Sequence, residues 1–249
     1  MAQMKEQTDN HKGKSGLVPK YSWGSEIEIG SDEIKSRLLD IEKQIAPCKP
    51  KIIGVTKYYG RNSIIRGYEA GLRDFGESRA IEAAEKIESL PDELRNNSTF
   101  HFIGHLQTNK VDKVVKHFEY IHSVDSLKLA AAISNAAQKL RKQVKILLQV
   151  NNAGEEQKSG YSKENLLKDL PEIIKFPNIE LVGLMNMAPL GAEDNLLEYL
   201  FHDIANFRSE VEKSFGIQLP ELSMGMSDDY KIAVKEGATM IRIGRKLFT

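Results

Sequence analysis

Eight short apolar segments, each followed by an amphipathic one, run through the chain from Lys51 to its end. They are KIIGVT, DFGE, TFHFIG, YIHSV, KILLQVN, ELVGLMNM, ELSMG and MIRIG. Short apolar runs are typical of buried strands, and the segments between them carry apolar residues at helical spacing. Alternating strands and helices predict right-handed βαβ units and a parallel sheet. Eight such units in 249 residues predict an α/β fold that is a single (β/α)₈ TIM barrel.

A doubly wound open sheet is the alternative fold, but no G-x-G-x-x-G follows the first strand, which disfavours its dinucleotide-binding version. Residues 1–30 are polar, lack sustained periodicity and contain no secretory signal, so we expect a flexible N-terminal extension. The first helical pattern, SDEIKSRLLDIEKQI, begins at Ser31 with a capping serine and acidic residues. The barrel domain is therefore predicted to cover residues 31–249.

The composition excludes several kinds of partner. Lysine plus arginine and aspartate plus glutamate each number 35, which favours neither nucleic acid nor an anionic membrane as a partner. No apolar run approaches the ~20 residues that span a bilayer. The single cysteine, Cys48, allows no internal disulfide and no cysteine-pair zinc site. We expect a cytoplasmic monomer.

The first strand runs directly into a lysine. Period-two alternation in KIIGVTK places Lys57 on the same face as Ile53 and Val55. The common arrangement for such a lysine is a packed stem with its amine in water. The alternative is a functional amine, because partial withdrawal from water favours the neutral form, which attacks carbonyl carbons to form a Schiff base. This segment alone leaves both interpretations open.

The last strand carries an arginine between two isoleucines. In MIRIGRKLF, Ile241 and Ile243 share one face. Met240, Arg242 and Gly244 share the other. A buried cation without a partner is costly, so Arg242 pairs with either a buried carboxylate or a ligand atom. Gly244 would allow backbone to approach such a ligand closely.

The seventh strand leads into a candidate anion site. In ELSMGMSDDYKIAV we expect a helix to begin at Ser227, whose hydroxyl and neighbouring N–H groups could bind an anion. Asp228 and Asp229 complement the same helix dipole, so Ser227 alone is more typical of a simple N-cap. However, (β/α)₈ barrels often bind phosphate between the loops after strands seven and eight, and their active sites lie at the C-terminal ends of the strands.

Two other clusters carry less information. His101 and His105 in HFIGHLQTNK belong to a strand and the loop after it, so we expect hydrogen-bonded histidines rather than metal ligands. We predict no metal site. The polar loop NNAGEEQKSGYS after the fifth strand either rims a pocket or is simply solvated.

Taken together, the segments resemble a known family. KIIGVTK, DFGES, HFIGHLQTNKV, IHSVDSLKLA, LLQVNNAGEEQKSGY, GLMNMAP and LSMGMSDDYKIAVKEGATMIRIGRKLF are similar, in order, to segments of the YggS/PROSC family of pyridoxal phosphate (PLP) homeostasis proteins. The resemblance covers essentially everything after residue 31, and the combination of HFIGHLQ, LSMGMS and IRIG is highly specific. It implies a barrel of the alanine-racemase type (fold type III among PLP proteins) with pyridoxal 5'-phosphate as cofactor.

The resemblance also implies a role for each candidate residue. Lys57 would form the Schiff base with PLP, Arg242 would lie by the pyridine nitrogen, and Ser227 and the Gly244 backbone would hold the phosphate. An arginine beside that nitrogen disfavours its protonation, which weakens the cofactor as an electron sink. Many relatives have FGENY where this chain has FGESR, so an asparagine contact to the cofactor would be shortened to Ser78 or lost.

Three functions fit these features. The leading expectation is a PLP carrier or regulator without turnover, acting in vitamin B6 and amino-acid balance with PLP-requiring apoenzymes as recipients. The second is a PLP-dependent amino-acid racemase. Racemases of this fold take an opposing tyrosine base from a second domain, for which the end at Thr249 leaves no room; Tyr58 and Tyr59 more plausibly pack or rim the pocket. The third is a PLP-free lysine aldolase in which Ser227 binds a substrate phosphate. We therefore expect no catalytic residues.

Overall fold

The computed structural model describes residues 27–155 and 159–249. Its eight strands form a closed parallel barrel in sequence order, and the last strand pairs with the first. The strands are β1 (Lys51–Val55), β2 (Asp74–Glu77), β3 (Thr99–Phe102), β4 (Tyr120–Val124), β5 (Val144–Gln149), β6 (Ile179–Met185), β7 (Glu221–Met226) and β8 (Met240–Ile243). The predicted (β/α)₈ barrel is confirmed.

Helices precede the first strand, connect successive strands and end the chain. They are α1 (Ser31–Ile45), α2 (Arg61–Glu69), α3 (Ala80–Glu88), α4 (Asp92–Asn96), α5 (Val111–His117), α6 (Leu127–Lys139), α7 (Lys163–Ile173), α8 (Asp194–Phe215), α9 (Tyr230–Lys235) and α10 (Arg245–Phe248), with a 3₁₀ helix at Thr108–Lys110. The first helix begins at Ser31, as predicted, but its N-cap is Gly30 and no side chain caps it, so the predicted capping role of Ser31 is wrong.

The alternation of residues in each strand separates two apolar cores. Outward-facing positions meet the helices: a Cβ at Gly54 would lie 3.0 Å from Leu72 and 3.2 Å from Phe248. Inward-facing positions fill the lower barrel with a separate cluster of Ile53, Tyr120, Leu147, Val182, Met185 and Met240. Burying each large apolar side chain contributes roughly 1.5–3 kcal/mol, so the inner cluster stabilises the barrel that carries the strand ends.

The segment before α1 packs on the barrel at its described end. Ile27 is buried in the outer core. One nitrogen of Arg66 donates to the carbonyl of Ile27 at 2.9 Å and to that of Ile29 at 2.7 Å. The rest of the predicted N-terminal extension (residues 1–26) and the centre of the loop after β5 (residues 156–158) lie outside the described residues.

Candidate functional site

A cavity of about 410 Å³ opens at the C-terminal ends of the strands. Lys57 follows β1, Ser227 follows β7, Arg242 lies in β8 and Gly244 follows it, and all four line this cavity. Its size falls within the ~300–1,000 Å³ typical of small-molecule sites. The remaining walls come from Val55, Tyr58, Tyr59, Ile103, Met187, Leu190, Met226, Asp228 and Arg245. The structure therefore brings together the four residues singled out from the sequence.

Lys57 presents its amine to the cavity. Its side chain is half-buried, and Nζ lies 5.0 Å from the centre of the Tyr58 ring. Within residues 27–155 and 159–249, the amine makes no hydrogen bond and no ion pair. A cation over an aromatic face is held only weakly at an exposed site. The Lys57 amine is therefore available to a ligand in the cavity.

The backbone around Lys57, in contrast, is fixed by hydrogen bonds from a buried ion pair. Lys86 and Glu77 form an ion pair of 2.6 Å with both side chains only 2% exposed. Lys86 Nζ also donates to the carbonyl of Thr56 at 2.9 Å and that of Tyr59 at 2.7 Å. The Thr56 hydroxyl donates to Glu77 at 2.7 Å. Because these two carbonyls bracket Lys57, the buried pair fixes the turn that presents it.

Arg242 is held through its guanidinium group. It is 4% exposed, and Nη1 donates to the carbonyl and hydroxyl oxygens of Ser223 at 2.8 and 2.7 Å. Nη2 donates to the Asn186 carbonyl at 2.9 Å. Burial lowers the pKa of Arg242 to about 10, and the nearby Asp229 carboxylate opposes that shift. Arg242 therefore remains a cation at neutral pH.

The helix that follows β7 begins later than predicted. We expected that helix to begin at Ser227, but α9 begins at Tyr230 with Asp229 as its N-cap. The Asp229 carboxylate accepts the N–H of Met226, so a turn forms between β7 and α9. Ser227 lies in this turn, buried at the cavity wall. Its Oγ accepts the N–H of Lys246 at 3.5 Å, which leaves its own proton for a ligand.

Gly244 leaves room in the cavity rather than relieving a clash within the protein. A Cβ at this position would meet only Val55, at ordinary contact distances of 3.4 Å or more. Its φ of −107° is not in the left-handed region. The protein's own packing and backbone therefore do not demand glycine here, and the effect of the missing side chain is to open the cavity wall.

Three other residues discussed from the sequence lie away from this arrangement. His101 and His105 are both hydrogen-bonded, as predicted. His101 is buried and contacts His122, whereas His105 is exposed, with Nδ1 3.4 Å from Ser159 Oγ and 3.7 Å from the Asp125 carboxylate. Ser78 does not line the cavity; its carbonyl would lie 2.2 Å from a Cβ at Gly104. Among the described residues, no group of three or more His, Cys, Asp or Glu side chains is arranged to hold a metal ion, and no helix is long and apolar enough to cross a bilayer.

Sequence reasoning missed the residues that support the site. Glu77, Lys86, Ser223 and Asn186 contact Lys57's turn or Arg242 but were not singled out. One signal was available for Lys86, because α3 turns it toward the barrel between Ala83 and Ile87, both buried. A lysine on the apolar face of a helix requires a buried partner.

The fold and these strand-end residues define a class. The chain belongs to the family described as "Alanine racemase, N-terminal domain", whose model matches residues 29–249. Within this class, it is 42% identical over 202 residues to a Synechocystis sp. relative named "Pyridoxal phosphate homeostasis protein", covering 81% of this chain and 92% of the relative. The family resemblance seen in the sequence is thereby confirmed.

Solved structures give the same result. PipY of Synechococcus elongatus PCC7942, determined without PLP, matches with a TM-score of 0.80 and 38% identity over 87% of this chain and 100% of PipY. The PLP-bound form of PipY matches with a TM-score of 0.79 and 37% identity over the same shares of the two chains. Alanine racemase of Clostridium difficile 630, at 19% identity and a TM-score of 0.70 over 92% of this chain and 58% of the racemase, shows a shared fold alone.

Proposed function

We propose that the barrel domain, residues 31–249, binds pyridoxal 5'-phosphate and acts in intracellular PLP (vitamin B6) homeostasis and amino-acid balance. The observation that carries this proposal is the amine of Lys57, which has no polar partner in the described parts of the chain and lies in the same cavity as Arg242 and Ser227. The names of the curated relatives and the PLP-bound PipY structure support it. The chain would hold PLP as a Schiff base on Lys57, without turnover.

The residues present fit this cofactor group by group. Lys57 would hold the cofactor through its aldehyde group, as a Schiff base whose formation releases water. Ser227 and the backbone N–H groups around Gly244 would donate to the phosphate. Arg242 would face the ring nitrogen. When bound, PLP supplies an electron sink, and a cation at that nitrogen weakens the sink by disfavouring its protonation.

The tyrosines beside Lys57 support holding rather than turnover. A racemase needs an acid–base group opposite the lysine. The Tyr58 ring lies against the Lys57 amine itself. The Tyr59 hydroxyl shares a hydrogen bond of 2.7 Å with Thr249, and its ring packs on Phe248 with 5.9 Å between centroids. We therefore propose a carrier rather than an enzyme. We further propose that this carrier is cytoplasmic and monomeric and that PLP-requiring apoenzymes receive its PLP.

Absorbance of the purified protein tests PLP binding. Wild type mixed with PLP should gain the visible band of a lysine Schiff base, and Lys57→Ala should not. Lys175→Ala is the control, because Lys175 is exposed and pairs with Glu172 on the surface; it should retain the band. A wild type that stays colourless and takes up no PLP would overturn the proposal and leave the PLP-free aldolase as the alternative.

Chiral analysis separates a carrier from a racemase. The PLP-loaded protein is incubated with a panel of L-amino acids, and the D-enantiomers are quantified against free PLP at the same concentration. We expect rates no higher than those of free PLP. Turnover well above free PLP that disappears in Lys57→Ala would instead establish an enzyme.

A further inference from the structure

A continuous chain of hydrogen bonds crosses the barrel interior, from Arg242 through Ser223, His122 and His101 to Asp74. Arg242 Nη1 lies 2.7 Å from Ser223 Oγ. That oxygen lies 2.9 Å from His122 Nδ1, His122 Nε2 lies 2.9 Å from His101 Nδ1, and His101 Nε2 lies 2.9 Å from Asp74 Oδ1. Both imidazoles are fully buried. We call this set of five residues the polar chain.

The polar chain connects the two ends of the barrel. Arg242 lines the cavity at the C-terminal ends of the strands. Asp74 is the first residue of β2 and lines a second cavity of about 510 Å³ at the opposite, N-terminal ends. Taking polar groups out of water costs free energy even when they are hydrogen-bonded. Apolar side chains in place of the polar chain would stabilise the barrel core at least as well, so stability alone does not account for these five residues.

The arginine end is compatible with one direction of the hydrogen bonds. A guanidinium group only donates, so Ser223 Oγ accepts from Arg242. A hydroxyl oxygen has a second lone pair, so this contact by itself does not set the direction of the bond between Ser223 and His122. If the Ser223 proton is directed at His122 Nδ1, a neutral His122 has its own proton on Nε2 and donates it to His101 Nδ1.

The aspartate end requires the same direction. A carboxylate only accepts, so His101 carries its proton on Nε2 and presents a lone pair on Nδ1. This is the lone pair that His122 needs. Neutral imidazoles are favoured because burial lowers the pKa of His101, and burial together with the charges of His101 and Arg242 holds the pKa of His122 well below its usual range. The aspartate end thus selects a single tautomer for each ring, and the arginine end accommodates it.

The consequence is electrostatic. Every hydrogen-bonding O–H and N–H bond in the polar chain points toward Asp74, and every accepting lone pair faces Arg242. The aligned dipoles therefore favour a cation at the Arg242 end and an anion at the Asp74 end. Other charged groups at the Asp74 end are Lys51 and Glu221, which act on His101 through space. The Tyr120 ring stacks on His101 with 4.6 Å between centroids.

We propose that Asp74 is a positioning residue for the cofactor cavity. Through the polar chain, it fixes the direction in which the Ser223 hydroxyl points, and thereby the lone pair that Ser223 presents to Arg242 at the other end of the barrel. The consequence for PLP affinity rests on the proposed function, whereas the hydrogen-bond direction itself does not.

Nitrogen NMR of the PLP-free protein tests the direction. We expect both His101 and His122 as Nε2–H tautomers, and Asp74→Asn should shift the ring nitrogens of His122 and the guanidinium nitrogens of Arg242. Glu221→Gln is the matched control. It removes a carboxylate at the same end of the barrel that contacts Lys51 at 3.7 Å and Thr239 at 2.7 Å but is not part of the polar chain; it should leave the Arg242 signals in place.

PLP titration of the same variants tests the consequence. Asp74→Asn should weaken PLP binding about fivefold, the loss typical of replacing a charge-assisted hydrogen bond by a neutral one, and Glu221→Gln should bind as wild type. Ser223→Ala interrupts the polar chain next to Arg242 by removing one oxygen and should weaken binding at least as much.

The outcomes separate the two proposals. A proton on His122 Nδ1, or Arg242 signals and PLP affinity unchanged by Asp74→Asn in a folded protein, overturns the role of Asp74. Failure of wild type to bind PLP overturns the proposed function instead, and the NMR signals of the PLP-free protein still decide whether Asp74 controls Arg242.

Discussion

The two cations of the cavity are held in opposite ways. For Lys57, the backbone is fixed by the buried Lys86–Glu77 pair, while the amine has no polar partner among the described residues. For Arg242, the guanidinium itself is fixed, by hydrogen bonds to Ser223 and Asn186. The difference matches what each group would do. An amine that forms a covalent bond must be free to react, whereas a cation that acts by its charge must be preorganised.

The largest expected effect comes from removing the support under Lys57. Lys86→Met leaves Glu77 as an uncompensated buried charge, so the free energy of unfolding should fall by about 3–5 kcal/mol, measured by urea denaturation. Lys116→Met is the control, because Lys116 pairs with Glu88 on the surface, where ion pairs contribute about 0–1 kcal/mol. Equal losses in the two variants would contradict the role of the buried pair.

Removing the arginine should affect binding more than stability. Arg242→Leu leaves neutral oxygens of Ser223 and Asn186 without donors, at a cost of about 1–3 kcal/mol each at most, partly offset by the burial of an apolar side chain. PLP affinity should fall by at least about tenfold, because a single well-placed charged hydrogen bond contributes that much. If Arg242→Leu unfolds as readily as Lys86→Met but binds PLP normally when folded, Arg242 contributes to stability rather than to PLP binding.

Mild acid should lower the free energy of unfolding through His101 and His122, the two buried histidines of the polar chain. The pKa values of His101 and His122 are lowered in the folded protein from the ordinary 6.5. Below that pH, the unfolded chain takes up protons that the folded protein refuses, so stability falls by up to about 1.4 kcal/mol per pH unit for each histidine. Burial also raises the pKa of Asp229, which acts in the opposite direction at lower pH.

Urea denaturation at pH 7 and pH 5.5 measures this dependence. His122→Gln should show a shallower loss of stability on acidification than wild type. His202→Gln should behave as wild type, because His202 is exposed. A loss of the same steepness in wild type and His122→Gln would contradict the assignment of the pH dependence to the buried histidines.

The smallest change in stability is expected at Gly244, which lines the cavity together with Lys57 and Arg242. Gly244→Ala adds a Cβ that meets only Val55 at ordinary distances, so stability should change by less than about 1 kcal/mol. PLP affinity should nevertheless fall, since Gly244 lines the cavity and an added methyl group takes up space at its wall. Calorimetry with and without PLP measures both quantities, and an unchanged affinity would show that Gly244 does not contact the cofactor.

The sequence predicts the barrel and the position of each cation well, because both depend on short-range patterns. Period-two alternation places Lys57 with Val55 on the cavity side, and the same pattern turns Arg242 inward. The supporting contacts depend instead on strand register and helix docking, which join Lys86 to Thr56 and His122 to Ser223 across the fold. No local pattern encodes these pairs.

The error at Ser227 has a local cause. A serine followed by two aspartates reads as a helix start, but the Asp229 carboxylate accepts the Met226 N–H and moves the start of α9 to Tyr230. Three capping side chains in a row compete for the same backbone donors. The sequence could not rank them, because the buried environment that selects Asp229 comes from the folded barrel.

Lys57, and no other lysine, should form the covalent bond to PLP. Borohydride reduction of the PLP-loaded protein, followed by peptide mapping with mass spectrometry, tests it directly. We expect one reduced pyridoxyl adduct per chain, on the peptide that contains Lys57. An adduct located mainly on another lysine, or spread evenly over surface lysines in wild type and Lys57→Ala alike, would contradict the account.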